Sequence, residues 1–188
     1  MPARQRKIDV GIDDPRIVSL PTVALFCSVK CPGKIILETY DLAKRFREEG
    51  ITVISGFQSP MEEECLRILL RSTNPVIWCL ARGMLKIIPK ELRTAVNEGR
   101  LLLVTQFPDK VQHVTAKTAK LRNRHVAEMA AVVVVAHAAP GGKTEELCRE
   151  VLATGKPLYT FDTTANATIL QAGAKKITAD IDWKNILK

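Results

Sequence analysis

Residues Leu121–Leu147 read LRNRHVAEMAAVVVVAHAAPGGKTEEL. At their centre stand four consecutive valines, Val132–Val135, followed by Ala136. The run is too short for an independent helix, and β-branched side chains favour the extended chain. It is continuously apolar rather than alternating, as a strand must be when both of its faces are covered. Upstream lies a helical segment carrying Arg122, Arg124 and His125; downstream come the turn Pro140-Gly141-Gly142 and a helix opening on Glu145 and Glu146. Helix, doubly buried strand, glycine turn, helix is the repeating unit of a parallel α/β sheet. A turn of this kind can bring backbone N–H groups and a helix dipole onto an anion. The arginines just upstream could add side-chain charge to the same ligand.

The unit recurs along the chain. Strands are expected at Val23–Phe26, Ile51–Ile54, Val76–Leu80, Leu101–Thr105, Val132–Ala136 and Pro157–Phe161, with an edge strand at Lys175–Ile177. Helices are expected at Ile35–Glu49, from Ser59 to Ser72, and at Pro89–Glu98, Thr115–Ala130, Thr144–Thr154 and Ala165–Ala172. Gly50, Gly99, Gly155 and Gly173 stop four of them. Ser59-Pro60-Met61-Glu62 is a helix start with an N-cap, a proline at the first position and the glutamate of a capping box. The predicted fold class is therefore α/β: a doubly wound, mostly parallel, Rossmann-like sheet of six or seven strands with helices on both faces. It is expected to span residues 17–178, with a short strand at Ile17–Leu20, a basic then acidic arm at 1–16 and a C-terminal tail at 179–188. In such a sheet the ligand lies at the carboxyl ends of the strands. This brings together the loops Cys27–Lys34, Ser55–Pro60, Ala81–Gly83 and His137–Lys143.

A chain of 188 residues is long enough for one good core and short for two. Its formal charge of +8 favours a polyanionic ligand without requiring one. Five cysteines include one C-x3-C pair, Cys27 and Cys31, with no second pair or neighbouring histidine, so no metal site is expected. No run has the length of a membrane span, and a reducing cytoplasm is the simplest compartment. Only 5% of residues are aromatic, so a base-stacking surface would be sparse.

Among the motifs, Pro140-Gly141-Gly142-Lys143-Thr144 has the spacing of neither a Walker A loop nor a dinucleotide fingerprint. It also reads as a plain turn, with Thr144 capping a helix that carries Glu145 and Glu146. Lys117, Lys120, Arg122 and Arg124 place four cations in eight residues with no acid among them. Nothing within the segment neutralises them, which points to an external anion. His125 has no evident catalytic partner, and no serine–histidine–aspartate or zinc-protease signature occurs.

Taken in order, five pieces resemble the Rossmann-like domain of the DNA-processing protein A family (DprA, also Smf). They are Phe26-Cys27-Ser28-Val29-Lys30, Val53-Ile54-Ser55-Gly56-Phe57, Leu121-Arg122-Asn123-Arg124-His125, Val132–Val135 and Thr164–Ala174. The resemblance implies a protein that binds single-stranded DNA through its phosphates in recombination or DNA uptake, with a recombinase as partner and room for a homodimer. It implies no enzymatic activity, cofactor or membrane. The contacts carried over are Ser55, Gly56, Arg122 and Arg124, with Lys30 in place of an arginine; Gly141, Gly142 and Lys143 join them as candidate phosphate-binding residues. The family's second glycine and histidine after the Ser-Gly turn are replaced, and Glu62, Glu63 and Glu64 stand close by. A second resemblance is to the lysine-decarboxylase-like phosphoribohydrolases (LOG family), on Pro140–Leu147. It implies nucleotide binding or cleavage of a nucleoside monophosphate, with Arg124 and Glu146 as the catalytic pair. This turn is two residues shorter than that family's pattern.

Overall fold

Alternate residues of the valine run go to opposite sides of one sheet, which is why the run has no polar member. The computed structural model describes Leu20–Lys188. Its sheet holds β1 (Thr22–Cys27), β2 (Thr52–Ser55), β3 (Val76–Leu80), β4 (Leu101–Thr105), β5 (Val132–His137), β6 (Leu158–Thr160) and β7 (Lys175–Lys176). The spatial order is β4-β3-β2-β1-β5-β6-β7, and every neighbouring pair is parallel. Val132 and Val134 join Val23, Leu25 and Val53 on one face; Val133 and Val135 join Ala24, Phe26 and Ile54 on the other.

The first face is covered by α1 (Gly33–Glu49) and α2 (Pro60–Leu69), through Ile35, Leu42, Phe46, Cys65 and Leu69. The short α3 (Arg93–Asn97) adds Ala95 and Val96 at the β4 side. The opposite face is covered by α4 (Ala116–Met129) and α5 (Lys143–Ala153), through Val126, Ala127, Leu147, Cys148 and Val151, with α6 (Ala167–Gln171) contributing Ile169. This is the doubly wound sheet expected from the sequence.

Three expectations change. The helix expected at Pro89–Glu98 is a 3-10 turn at Lys90–Leu92 followed by α3, and the last one is likewise divided into Thr164–Asn166 and α6. Residues 179–188, read as a tail, contain α7 (Trp183–Ile186), capped by Asp182, whose carboxylate accepts from Asn185 N at 3.0 Å. Trp183 is fully buried, edge-on to Phe46 and Tyr159 at ring-centroid distances of 5.2 and 5.4 Å. One turn of helix is too short to show a period, so only the packing reveals it. The arm at 1–16 lies outside the described residues, as does the strand expected at Ile17–Leu20 except for Leu20, which is in a bend.

Candidate anion site at the carboxyl edge of the sheet

Strand order runs outward from β1 to β4 on one side and from β5 to β7 on the other, so the direction of winding reverses between β1 and β5. Loops leaving two such strands diverge and open a crevice. Here its walls are tied together. Ser28 N donates to His137 O and Ala139 N donates to Ser28 Oγ, both at 2.9 Å. Cys27 N donates to Glu62 Oε1, also at 2.9 Å. Behind β5, Asn166 Nδ2 donates to Ala136 O and Thr160 Oγ1 at 2.9 and 2.8 Å. Its amide oxygen therefore faces His137 Nδ1 at 3.0 Å, which places the ring proton on Nδ1.

The Ser55-Gly56-Phe57 turn and Arg122 form one unit. Arg122 is only 3% exposed. Its Nη2 donates to Gln58 Oε1 at 2.8 Å, Nη1 to Cys79 O at 3.2 Å, and Nε to Asn123 Oδ1 at 2.7 Å. The guanidinium lies so close over Gly56 that a Cβ there would sit 1.7 Å from Nη1. Gly56 O in turn accepts from Trp78 Nε1 at 2.9 Å. Ser55 is fully buried; its hydroxyl donates to Leu25 O at 2.7 Å and accepts from Phe57 N at 3.2 Å. Phe57 has φ +45°, a left-handed conformation costly for a bulky side chain, held by its burial and the hydroxyl below it. Burial lowers the pKa of Arg122, and the nearby Glu62 carboxylate acts against that shift.

Glu62, expected as the capping-box glutamate close to the Ser-Gly turn, is buried. It is 7% exposed, and its oxygens accept from Cys27 N, Gln58 N and Ser59 N. Burial pushes its carboxyl up, while those N–H groups and Arg122 favour the charged form. With Ser59 Oγ accepting from Glu62 N, the α2 terminus is closed by a capping box. Glu63 is exposed; Glu64 pairs with Arg67.

Two of the cations of α4 are neutralised after all, from α5. Lys120 Nζ meets Glu146 Oε1 at 2.5 Å, and Arg124 donates from Nε and Nη2 to the two oxygens of Glu150. The pairing crosses 26 residues of chain, which is why no reading of the segment alone could find it. Arg124 and Glu146 therefore do not pair. Both line a small cleft of about 50 Å³ with Lys120, Asn123 and Lys143, far below the roughly 300 Å³ at which ligand pockets begin. An adjoining open groove of about 580 Å³ runs over Ala127, Leu147 and Val151, and includes Arg124 but not Glu146. The glycine turn is likewise committed: Gly141 N, at φ +69°, donates to Glu145 Oε2 at 2.7 Å, and Gly142 N donates to Ala139 O at 2.9 Å.

Exposed charge remains at the other lip of the crevice, with Lys34 Nζ 4.0 Å from Glu38 Oε1. Lys30 and Lys34 are exposed on either side of the start of α1, whose N-cap is Pro32 and whose first turn holds no acid. Lys143 is exposed at the start of α5. Of the expected site residues, the fold thus gathers Lys30, Ser55, Gly56 and Arg122 around the β1–β2–β3 ends, and Gly141, Gly142 and Lys143 beside β5. Arg124 stands apart on the outer surface of α4. The sequence reading missed Ser28, Glu62, Glu145, His137 and Asn166 as the ties that hold these loops. Asn166 and Ser28 had a signal, their places in the Thr164–Ala174 and Phe26–Lys30 motifs, and Glu62 had one in the capping box. Among the described residues, no group of three or more histidine, cysteine or acidic side chains is placed to hold a metal, and no helix is long and apolar enough to cross a membrane.

Solved structures place this fold among known ones. DNA processing protein A (DprA) from Streptococcus pneumoniae superposes with a TM-score of 0.73 at 17% identity, over 92% of this chain and 65% of that one. DNA processing protein A from Helicobacter pylori, described for a unique mode of binding single-stranded DNA, superposes with a TM-score of 0.71 at 17% identity, over 93% and 82%. The molybdenum cofactor binding protein from Rippkaea orientalis follows with a TM-score of 0.58 at 14% identity, over 85% and 90%. The chain thus spans just under two thirds of the pneumococcal protein, and identities this low concern the fold alone. No curated protein matches the sequence. A sequence model of the DNA recombination-mediator protein A family, however, matches residues 14–187. By that match over nearly its whole length, this chain belongs to the DNA recombination-mediator protein A family.

Proposed function

We propose that this protein binds single-stranded DNA through phosphate contacts at the carboxyl edge of its sheet, without reading base sequence. What carries the reading is family membership together with the exposed basic lip of the β1/β5 crevice, where Lys30 and Lys34 flank an α1 terminus whose first turn holds no acid and Glu38 stands 4.0 Å from Lys34. Amide donors, a helix dipole and lysines bind phosphate irrespective of the base attached. Lys30 and Lys143 are the direct contacts. Ser55, Gly56 and Arg122 frame the platform from within, and Gly141 and Gly142 shape the turn that presents Lys143. Arg124 joins the contacts when DNA displaces Glu150. The same reading takes in a cytoplasmic setting, a recombinase that receives the DNA, and a homodimer that spans more of the strand.

The test is fluorescence anisotropy of labelled oligo-dT across a salt series. Log K falls with log salt by about 0.7 per phosphate contact on a single strand. Lys30→Ala and Lys143→Ala should each weaken binding and flatten that slope. A wild-type protein with no salt slope overturns the reading. So do variants whose slopes equal the wild type's.

A further inference from the structure

Each wall of the crevice is closed by a buried glutamate. On the β1–β2 side, the two oxygens of Glu62 accept from three backbone N–H groups of two separate loops. Oε1 takes Cys27 N at 2.9 Å; Oε2 takes Gln58 N at 2.9 Å and Ser59 N at 3.4 Å. A capping box needs only the bond from Ser59 N. Cys27 N comes instead from the end of β1, 35 residues away in the chain. Gln58, whose N–H meets Glu62, also accepts from Arg122 Nη2 through its side chain at 2.8 Å. Converging amides beside a buried guanidinium are a donor set suited to a phosphate. Here that set holds a carboxylate of the protein itself. On the β5 side, Glu145 is 2% exposed, and its Oε2 accepts from the left-handed Gly141 N at 2.7 Å while Oε1 accepts from Arg149. The glycine turn, too, is answered by an acid of the helix that follows it.

We propose that Glu62 and Glu145 are specificity-determining residues: their carboxylates occupy the amide donors on the two walls of the crevice, so that free phosphate and mononucleotides are excluded and only a polyanion lying along the lip is bound. An entering phosphate competes with a carboxylate that is covalently tethered, and so present at an effective concentration that a free ligand does not reach. It also leaves the displaced carboxylate beside a second anion, where burial keeps out the water that would screen them. A DNA strand requires no such displacement. It lies outside, on the exposed Lys30 and Lys143, and gathers several weak contacts along one chain. Resting on the reading of this edge as the DNA site, this selectivity makes the backbone phosphates of a polymer, and not the phosphate of a free nucleotide, the ligand.

The test contains no DNA. Orthophosphate and thymidine monophosphate are titrated into the full chain by calorimetry, and melting is followed in phosphate and in sodium chloride of equal ionic strength. Glu62→Ala and Glu145→Ala each leave amide donors without their acceptor and vacate the space of a carboxylate. Each should gain saturable binding of both ligands in the millimolar range, which the wild type lacks. Phosphate should also raise the melting temperature of each variant by more than the chloride does, as a ligand of the folded state must. Glu62→Gln keeps the space filled and should bind no more phosphate than the wild type. A wild type that binds either ligand as tightly as the alanine variants overturns the proposal, and so do folded alanine variants that gain nothing. Should Glu62→Ala fail to fold even in phosphate, Glu145→Ala decides by the same two outcomes. Oligo-dT binding by the wild type is measured separately: its absence overturns the DNA reading and leaves the exclusion of phosphate standing.

Discussion

At the scale of the residue, Gly56 and Arg122 define each other. The guanidinium occupies the volume of any side chain at position 56, so the Ser-Gly turn and the arginine far along the chain on another helix are one object in space. Gly56→Ala must displace Arg122 from Gln58 and Cys79, with an expected loss on the order of 2–4 kcal/mol, because overpacking and a broken buried polar network act together. Urea unfolding measures it. In an Arg122→Ala background the same substitution should cost much less; equal costs in both backgrounds would show that the two residues are independent. His125 gives a second expectation. Burial holds its pKa below the ordinary 6.5, with Glu128 acting weakly the other way, and its Nε2 is buried without a partner. Its depressed folded pKa means that the unfolded chain takes up the proton first as the pH falls. The stability it confers is whole above pH 6.5 and is lost as the pH drops through that value toward the folded pKa. Melting temperature should therefore decline between pH 7 and 5.5, before most carboxylates titrate. His125→Gln should decline less over the same interval, and parallel curves would exclude His125 as the source.

At the scale of the element, α4 and α5 are laced by Lys120–Glu146 and Arg124–Glu150. Both pairs are substantially exposed, so they add little to stability. Their weight is electrostatic: they cancel positive charge that would otherwise face a polyanion. Glu150→Ala should accordingly free Arg124, tighten oligo-dT binding severalfold and steepen its salt dependence, while Arg124→Ala leaves the melting temperature nearly unchanged. Unaltered affinity in Glu150→Ala would remove Arg124 from the DNA path. The bond to Arg124 also holds the Glu150 carboxyl below its ordinary range. By the sign of that shift its small contribution is present above the unfolded value near 4.5 and is lost on acidification below it.

At the scale of the molecule, the chain's last turn of helix completes the face that α1 and α2 begin. Trp183 fills the space between Phe46 of α1 and Tyr159 of β6. Trp183→Ala should cost about 3–5 kcal/mol, the range for truncating a large buried aromatic side chain. The loss should appear as a lowered urea midpoint with the slope kept, since the rest of the sheet is still buried cooperatively. A change below roughly 1 kcal/mol would mean that the tryptophan stabilises little, despite its burial. The sheet also explains why the crevice is firm: β1 and β5 meet through Ser28, His137 and Ala139 at the point where winding reverses, so its walls are set by one backbone bond and by the buried Ser28 hydroxyl.

The sequence by itself determined the strands, the order of strand and helix, and the doubly wound class, because period and continuity of apolar residues are local properties of the chain. Val132–Val135 alone required a strand covered on both sides. It also carried the family resemblance, since turns such as Ser55-Gly56 and segments such as Leu121–His125 are contiguous. What only the tertiary structure decided was the state of the charges. Arg122, Arg124 and Lys120 look free along the chain and Glu62 looks like a local cap alone, yet each is answered by a partner on another element. Coulomb and hydrogen-bonding terms depend on distance in space, which the letters do not contain, and so the sequence located the cations while the fold selected which of them still face solvent.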